Sequence, residues 1–295
     1  MYDIKNVCTA GSVRDAIAAL GRNQSAVLIA GGTDVLIKLR DGENAGCILV
    51  SIHRLPELDG VRLLEDGTIE IGSGRCFADL ESSPVLLEHI PALAKAAGTV
   101  GGPQIRGVGT IGGNICNGAV SADTAPILLA LDATLVLEGP NGKRSLPIRE
   151  FYTGPGKTVR VRDEILTTIQ IRPESYRGFG GEYIKFGKRA AMEIATLGCA
   201  ANVKLSASKN RIEELRLAFG VAAPTPIRCP GAEAAATGQP LTEATLAELG
   251  QAALKDVKPR DSWRASRTFR LQLVRELTSR AVAGAIINAG GAVRA

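Results

Sequence analysis

Two glycine-rich segments of the sequence could hold an anion through their backbone. The first spans residues 30–34 (AGGTD), and the second spans residues 110–114 (TIGGN). Glycine permits positive φ and close approach of a ligand, so that consecutive N–H groups can point into one concavity. A helix directly after the first segment would add free N–H groups and a favourable dipole. We expect the two segments to hold a diphosphate from two sides; from the residues alone, a pair of tight turns without a ligand is the alternative.

The sequence also contains two nucleotide-binding patterns whose flanking residues do not suit such a site. Residues 107–112 (GVGTIG) match the G-x-G-x-x-G pattern of dinucleotide-binding folds, and Asp132 lies where the ribose-binding acid would be. However, Pro103 and polar residues precede the pattern where a buried strand is needed, and more Gly and Asn follow where a helix should open. A stand-alone NAD-linked oxidoreductase with its site at Gly107 to Gly112 is therefore an alternative hypothesis. Residues 156–158 (GKT) end like a P-loop, but Phe151 stands where that loop needs glycine.

Composition excludes several other classes of function. The 295 residues are 45% hydrophobic and 22% charged, and the net charge of +5 is dispersed, which indicates a solvated surface rather than a nucleic-acid site. The six cysteines form no C-x-x-C pair and only two histidines are present, so we expect no metal site and no disulfide framework. We also expect no signal peptide, no membrane span and a cytoplasmic location, because no basic N-terminal region precedes an apolar core and no apolar stretch approaches ~18 residues.

The segment before the first glycine pair alternates between helix and strand patterns. Ser12 is a candidate N-cap of a helix that Gly21 ends, and residues 26–30 form an apolar run typical of a buried strand. Thr33 is expected to cap a second helix that extends through Leu39, and residues 47–52 predict another strand. These elements form a small α/β unit that places the first glycine segment between a strand and a helix.

The elements around the second glycine segment predict a further unit. Strands at 61–64 and 69–72 flank a two-residue turn at Asp66-Gly67, and helical patterns cover 78–80 and 85–97. Residues 98–123 are expected to form one long glycine-rich loop, and a loop of this length in a compact domain is usually functional or disordered. Three further strands are predicted, at 133–137, 145–147 and 164–171.

A boundary is predicted where polar and glycine residues gather, at 173–181 (PESYRGFGG). Strands at 195–205 and 212–221 follow it, and the chain is helical from Ala232 onward, with 263–287 as the longest periodic stretch. Strands followed by helices indicate a separate α+β domain. The predicted domains are therefore 1–176 and 177–295.

The ordered motifs resemble one known family. AGGTD (30–34), QIR (104–106), TIGGNICNG (110–118) and SADTAP (121–126) resemble the FAD-binding subunit of the xanthine dehydrogenase family of molybdenum hydroxylases. The resemblance continues in order through FYTGPGKT (151–158), DEIL (163–166), KFGKRAAMEIATLGCA (185–200) and RLAFGVAAPTPIR (216–228). It implies an α+β fold, in which an FAD-binding domain of two α/β subdomains (PCMH-type) precedes a smaller C-terminal α+β domain.

The resemblance also implies cofactor-binding roles for particular residues. Two glycine segments would grip the diphosphate, further residues would lie beside the flavin ring, and the rest would contact the cofactor through polar or apolar groups. The implied FAD-binding residues are Leu28, Ile29, Ala30, Gly31, Gly32, Thr33, Asp34, Val35, Val100, Gly101, Thr110, Ile111, Gly112, Gly113, Asn114, Asp123, Ile165, Leu166 and Lys185.

Several of these residues have a plain structural interpretation when taken alone. Asp123 could be a helix N-cap, Ile165 and Leu166 core strand residues, and Lys185 a surface lysine. Val100 stands where some relatives carry an aromatic residue. A carboxylate at Asp123 would suit FAD, because it accepts hydrogen bonds from ribityl and ribose hydroxyls.

The implied function is electron transfer. Substrate would be oxidised on a large partner subunit that holds molybdopterin, and electrons would pass through 2Fe–2S clusters of a small partner subunit to FAD and then to NAD. The implied assembly is a dimer of heterotrimers, without nucleic acid, membrane or a catalytic acid or base on this chain. The closest likeness is to bacterial, purine-directed enzymes; nicotinate or another heterocycle is the alternative substrate, and a non-enzymatic scaffold is the alternative role.

Overall fold

The computed structural model describes residues 2–295, and its first unit is a small parallel α/β layer. Its elements are β1 (Ile4–Thr9), α1 (Val13–Arg22), β2 (Ala26–Ile29), α2 (Val35–Arg40) and β3 (Cys47–Ser51). The three strands are parallel in the order β1-β3-β2, and β1 was not anticipated from the sequence. Ser12 caps α1 as predicted by accepting the N–H of Asp15, but the helix continues past Gly21 to Arg22. Buried residues of α1 pack against β3. The strand β2 and the helix α2, which flank the first glycine segment, share a separate small core with β3.

The second unit contains a five-stranded antiparallel sheet covered by short helices. Its elements are β4 (Val61–Leu63), β5 (Ile69–Gly72), α3 (Phe77–Glu81), α4 (Pro84–His89), α5 (Pro91–Gly98), α6 (Pro103–Arg106), α7 (Ile111–Cys116), α8 (Thr124–Ala130), β6 (Thr134–Gly139), β7 (Gly142–Pro147), β8 (Tyr152–Gly154), β9 (Lys157–Thr158) and β10 (Ile165–Ile171). The sheet order is β4-β5-β10-β6-β7, and β8 and β9 form a separate hairpin. The central strand β10 and the helices α5, α7 and α8 contribute to the largest core of the chain.

Three local predictions for this unit were wrong. The turn between β4 and β5 has three residues, because Leu64 N–H bonds Thr68 O and only Gly67 adopts positive φ. The helix predicted over 85–97 is divided in two at Pro91, where the missing N–H and the pyrrolidine ring interrupt it. Residues 98–123 are not one continuous loop, since they contain the helices α6 and α7.

The C-terminal part is a four-stranded antiparallel sheet with three helices on one face. Its elements are β11 (Phe179–Phe186), β12 (Leu197–Leu205), β13 (Ile212–Gly220), β14 (Ile227–Arg228), α9 (Pro230–Ala236), α10 (Glu243–Ala253) and α11 (Arg267–Asn288). The helix predicted from residue 263 begins at Arg267, where the Ser266 hydroxyl accepts the N–H of Phe269. β11 was not anticipated, because its glycines lie inside the predicted boundary.

Glycine is required in β11 where it crosses the end of α11. A Cβ atom at Gly180 would stand 2.2 Å from both Ala285 O and Ala289 N. The strand and the helix backbone therefore lie in direct contact, and the Asn288 side chain donates to Gly181 O at 2.8 Å.

The two faces of this sheet serve different cores. Leu197, Cys199 and Phe219 pack with α9, α10 and α11, whereas Tyr183 and Ala200 on the opposite face join the core of the second unit. The side chains of β11 that face the second unit are thereby directed toward α8.

Ion pairs connect the same two parts of the chain. Asp132, which follows α8, lies 3.1 Å from Arg216 Nη1 and 2.7 Å from Arg228 Nη1, and both arginines belong to the C-terminal sheet. The molecule is a mixture of helices and antiparallel sheets with a parallel N-terminal layer, which confirms the α+β class; the limits 1–176 and 177–295 stay a prediction. Across the described residues 2–295, every helix is too short or too polar to cross a bilayer.

Candidate functional site

The first glycine segment leaves a run of backbone donors free. Among the described residues 2–295, no protein acceptor is hydrogen-bonded to the N–H groups of Gly31 through Val35. Gly32 has φ of +75°, a left-handed conformation that side chains other than glycine rarely adopt. The predicted cap at Thr33 was wrong, because α2 begins at Val35 and the preceding Asp34 makes no side-chain capping bond. The segment thus presents consecutive unpaired N–H groups, the donor set that an anion requires.

The second glycine segment is the first turn of helix α7 rather than a loop. Thr110 Oγ1 accepts the N–H of Gly113 as an N-cap, and the buried Ile111 and Ile115 anchor the helix one turn apart. The N–H groups of Ile111 and Gly112 bond Arg75 O and Ser73 O, while Asn114 N–H bonds Thr110 O. These amides are occupied, so the two glycine segments do not offer equivalent donors.

The first segment nevertheless packs against residues 108 and 109, which directly precede the second segment. A Cβ atom at Gly31 would stand only 1.9 Å from Val108 O, so glycine is needed there for backbone packing. On the other side, Lys38 Nζ of α2 donates to Asn117 Oδ1, just after α7, at 2.8 Å. The structure therefore brings together the segments that the sequence separates by about 75 residues.

The structure does not support the alternative nucleotide patterns. Residues 103–106 form the helix α6, and the N–H groups of Gly107 and Gly109 bond Pro103 O and Ile105 O. No strand leads into Gly107 within the described chain, so the strand–turn–helix unit of a dinucleotide site is missing there. Lys157 and Thr158 form the short strand β9 rather than the start of a helix, which excludes a P-loop.

A buried ion pair joins α8 to the C-terminal sheet beside these segments. Lys185 Nζ donates to Asp123 Oδ2 at 2.9 Å and to Thr99 O at 2.8 Å. Tyr183 Oη donates to Asp123 Oδ1 at 2.9 Å. Asp123 makes no capping bond to α8, and Lys185 is largely buried, so neither the N-cap nor the surface-lysine interpretation holds.

Burial and hydrogen bonding act against each other on Asp123. Burial is the larger effect and raises the pKa of the Asp123 carboxyl, whereas the charge of Lys185 and the hydrogen bonds from Lys185 and Tyr183 lower it. Each carboxylate oxygen accepts one bond from the protein and keeps a further lone pair. Asp123 can therefore accept another hydrogen bond from a ligand.

A cleft of about 230 Å³ opens beside this ion pair. It is lined by Thr99, Tyr183 and Lys185, and by the segment 187–193 that follows β11. Met192 N–H bonds Gly101 O, which ties this segment to the second unit. Gly101 itself has φ of +49°, and a Cβ atom there would stand 2.9 Å from Ile105 Cβ.

The remaining site residues are mostly structural within the chain itself. Ile165 is buried in the core of the first unit and Leu166 in the core of the second, because consecutive residues of a strand point to opposite faces of the sheet. Val100 is also buried in the second core, and Leu28 and Ile29 belong to β2. Contact of these residues with a cofactor stays a prediction.

Tyr183 and Thr99 are hydrogen-bonded members of this candidate site that sequence reasoning missed. Thr99 contributes a backbone carbonyl, which a sequence does not reveal. Tyr183 carries a detectable signal, because residues two apart on a strand share a face, and Lys185 was already a candidate. Without β11, however, that periodicity was not visible.

The chain matches two protein-family models in succession. Residues 2–174 match a model described as the FAD binding domain in molybdopterin dehydrogenase, and residues 182–285 match the C-terminal domain of CO dehydrogenase flavoproteins. The chain belongs to the FAD-binding subunits of the molybdenum hydroxylases. The FAD-binding subunits of this family are parts of dehydrogenases, so the protein is an oxidoreductase component.

Individual relatives show how far the likeness extends. The chain is 46% identical over 291 residues to the putative xanthine dehydrogenase FAD-binding subunit of Escherichia coli strain K12, covering 99% of both chains. It is 37% identical over 182 residues, 60% of each chain, to the nicotinate dehydrogenase FAD-subunit of Eubacterium barkeri. A solved carbon monoxide dehydrogenase of Hydrogenophaga pseudoflava superimposes with a TM-score of 0.92 at 30% identity, covering 98% of this chain and 99% of the other.

The groups present in this FAD-binding subunit fit the cofactor. The free N–H groups of Gly31 through Val35 suit a diphosphate, and the open lone pairs of Asp123 suit hydroxyl donors. The N–H donors lie between β2 and α2, and the acceptor and the cleft lie where α8 meets β11.

Proposed function

We propose that this chain is the FAD subunit of a purine-oxidising molybdenum hydroxylase of the xanthine dehydrogenase type. It would take electrons from 2Fe–2S clusters of a small partner subunit and pass them to NAD. Identity of 46% over almost the whole length of a named xanthine dehydrogenase FAD-binding subunit supports this choice of substrate class. FAD, when bound, would supply the chemistry that links the clusters to NAD, because it can take up two electrons one at a time and, with a proton from solvent, transfer them as a hydride.

The observation that most directly supports FAD binding is the run of unpaired N–H groups from Gly31 to Val35. These groups would bind the diphosphate, and the contact of Gly31 with Val108 holds the segment rigidly against the turn before α7. Because the amides of α7 are occupied, the second glycine segment would contribute shape and packing more than backbone donors.

The other end of the cofactor would be oriented by Asp123 and Lys185. The carboxylate would accept from cofactor hydroxyls through its free lone pairs, while Lys185 keeps it ionised. No residue of the chain is assigned an acid or base role, since the chain's work is to bind, orient and exclude water.

The partners of the chain would be a large molybdopterin subunit and a small 2Fe–2S subunit. We propose a dimer of these heterotrimers in the cytoplasm, with a place in purine metabolism. The relative whose name specifies nicotinate leaves that heterocycle as the second substrate candidate.

Purification of the chain together with its partners tests this function. The absorbance spectrum of the complex should show bound FAD. The flavin absorbance should decrease when xanthine or hypoxanthine is added, and it should return when NAD is added. A decrease in flavin absorbance with nicotinate but not with xanthine would show that nicotinate, rather than a purine, is the substrate of the complex. A complex without FAD, or one whose absorbance oxygen restores but NAD does not, would contradict the proposed electron path.

A further inference from the structure

Tyr183 occupies a fully enclosed position at the junction of the two domains. Its side chain is 1% exposed, and its hydroxyl points from β11 toward Asp123 at the start of α8. Glycine at position 198 on the neighbouring strand leaves room for it, since a Cβ atom there would lie 3.0 Å from Tyr183 Oη. The packing therefore reserves space for the hydroxyl as well as for the ring.

The hydroxyl of Tyr183 donates a hydrogen bond to Asp123. Burial, followed by the nearby charge of Asp123, raises the pKa of Tyr183 well above its usual value, so the phenol keeps its proton. With Lys185 on Oδ2 and Tyr183 on Oδ1, the carboxylate is held at both oxygens and cannot rotate. The two lone pairs that remain are thereby fixed in direction.

We propose that Tyr183 is a positioning residue of the cofactor site, which holds the Asp123 carboxylate ionised and correctly rotated to accept hydrogen bonds from the hydroxyl groups of FAD. This inference rests on the proposed function, in which Asp123 contacts the cofactor. It assigns to the C-terminal domain a second, uncharged contribution beside that of Lys185.

The charged and titratable groups around Asp123 define the expected pH dependence. Lys185 and Tyr183 face it from β11. Cys199 of β12 lies on the opposite face of the sheet and stays a neutral thiol, because burial raises its pKa well above the usual value. Burial already raises the pKa of Asp123, so loss of the Tyr183 bond raises it further. A protonated Asp123 is a poorer acceptor, and FAD should dissociate at a higher pH than in the wild type.

The test is FAD affinity of the full-length chain as a function of pH. Flavin absorbance and fluorescence titrations between about pH 5 and pH 8 should show tight binding that weakens at the acid side. In Tyr183→Phe the pH at which FAD affinity falls on acidification should be higher by about one pH unit, because a shift of that size corresponds to the loss of one charge-assisted hydrogen bond. Tyr176→Phe is the matched control, because it removes the buried hydroxyl bond to Gly67 O at 2.6 Å, far from Asp123.

Two further variants distinguish an error in the proposed FAD site from an error in the proposed role of Tyr183. Gly198→Ala crowds the Tyr183 hydroxyl without removing it, so FAD affinity should again fall at a higher pH than in the wild type. This variant keeps the test possible if Tyr183→Phe does not fold. Asp123→Asn should lose FAD at all pH values. If Asp123→Asn binds FAD as the wild type does, the proposed site is wrong; if it loses FAD while Tyr183→Phe and Gly198→Ala keep the wild-type pH profile, only the role of Tyr183 is overturned.

Discussion

Adjacent residues Gly31 and Gly32 are both required to be glycine, but for different physical reasons. Gly31 has no room for a Cβ atom against the backbone at Val108 O, whereas a Cβ atom at Gly32 would meet only side chains, at 3.3 Å, but Gly32 adopts positive φ. The glycine pair in the sequence predicts an unusual backbone here. Only the structure shows that close packing requires glycine at Gly31 and that positive φ requires it at Gly32.

Substitution of Gly32 tests the diphosphate segment. Gly32→Val should yield folded protein without FAD, because the branched side chain disfavours the left-handed backbone and displaces the free N–H groups. The strain should amount to about 1–3 kcal/mol. Gly238→Val is the control, since Gly238 has a similar φ of +79° and open space in the C-terminal domain. Absorbance of the purified variants measures FAD content; full flavin in Gly32→Val would show that the segment is placed wrongly.

Part of the acid sensitivity of folding should come from the buried carboxylate of Glu164. The side-chain bond from Arg144 holds the pKa of Glu164 below its ordinary value of 4.5, so this contribution to stability is present above that value and is lost as the pH falls through the lower, folded-state pKa. Glu164→Gln should therefore reduce the free energy of unfolding by about 1–2 kcal/mol near pH 7. The difference from wild type should disappear in acid.

Urea unfolding at several pH values measures this effect. Glu174→Gln is the control, because Glu174 is exposed and its nearest Arg172 nitrogen is 3.9 Å away. A Glu164→Gln deficit that stayed constant down to the most acidic condition would show that the Arg144 bond is not its origin.

At the level of elements, glycine misled the sequence interpretation in two opposite ways. Residues 110–114 predict a loop because Gly112 and Gly113 have low helix propensity, yet Thr110 caps the turn and two buried isoleucines hold it. Phe179–Phe186 was assigned in part to a boundary, yet its glycines allow a strand to approach α11. The apolar strands and the long helix were predictable from periodicity, whereas these two elements depend on tertiary contacts that a local pattern does not contain.

The contact between β11 and α11 gives a prediction at this scale. Gly180→Ala should lower the melting temperature, because the new methyl group overlaps helix backbone at Ala285 and Ala289, and overpacking costs about 1–3 kcal/mol. Gly154→Ala in β8 is the control, since its nearest neighbour would be a flexible lysine carbon at 3.9 Å. Calorimetry compares the two; equal melting temperatures would contradict the close approach.

At the scale of the whole molecule, the candidate site is shared between domains. The glycine segments and Asp123 lie in the N-terminal domain, while Tyr183 and Lys185 come from the C-terminal sheet. The sequence predicted Asp123 and Lys185 separately by resemblance, but it could not predict that they bond each other. Such a pairing joins residues far apart in the chain and needs the domain packing itself.

Asp132 should link domain packing to cofactor affinity. Asp132→Asn keeps a side chain that tolerates positive φ but removes the charge between Arg216 and Arg228, and because Asp132 is partly exposed the expected loss is about 1–2 kcal/mol. FAD should also bind less tightly, since Lys185 moves with the C-terminal sheet. Glu213→Gln, at an exposed ion pair within that sheet, should change neither melting temperature nor FAD affinity. Unchanged values in Asp132→Asn would show that the ion pairs do not hold the domains together.

The covering of β11 by α11 has a consequence for biosynthesis. The strand leaves the ribosome well before the helix that buries its glycines, so Tyr183 and Lys185 have no fixed position while the intervening segment is being translated. The nascent chain can form its first glycine segment early, but it cannot complete the polar end of the site until residue 288 has emerged. We therefore expect stable flavin capture to follow translation of α11, and a translation product that stops before α11 to leave Tyr183 and Lys185 exposed to solvent.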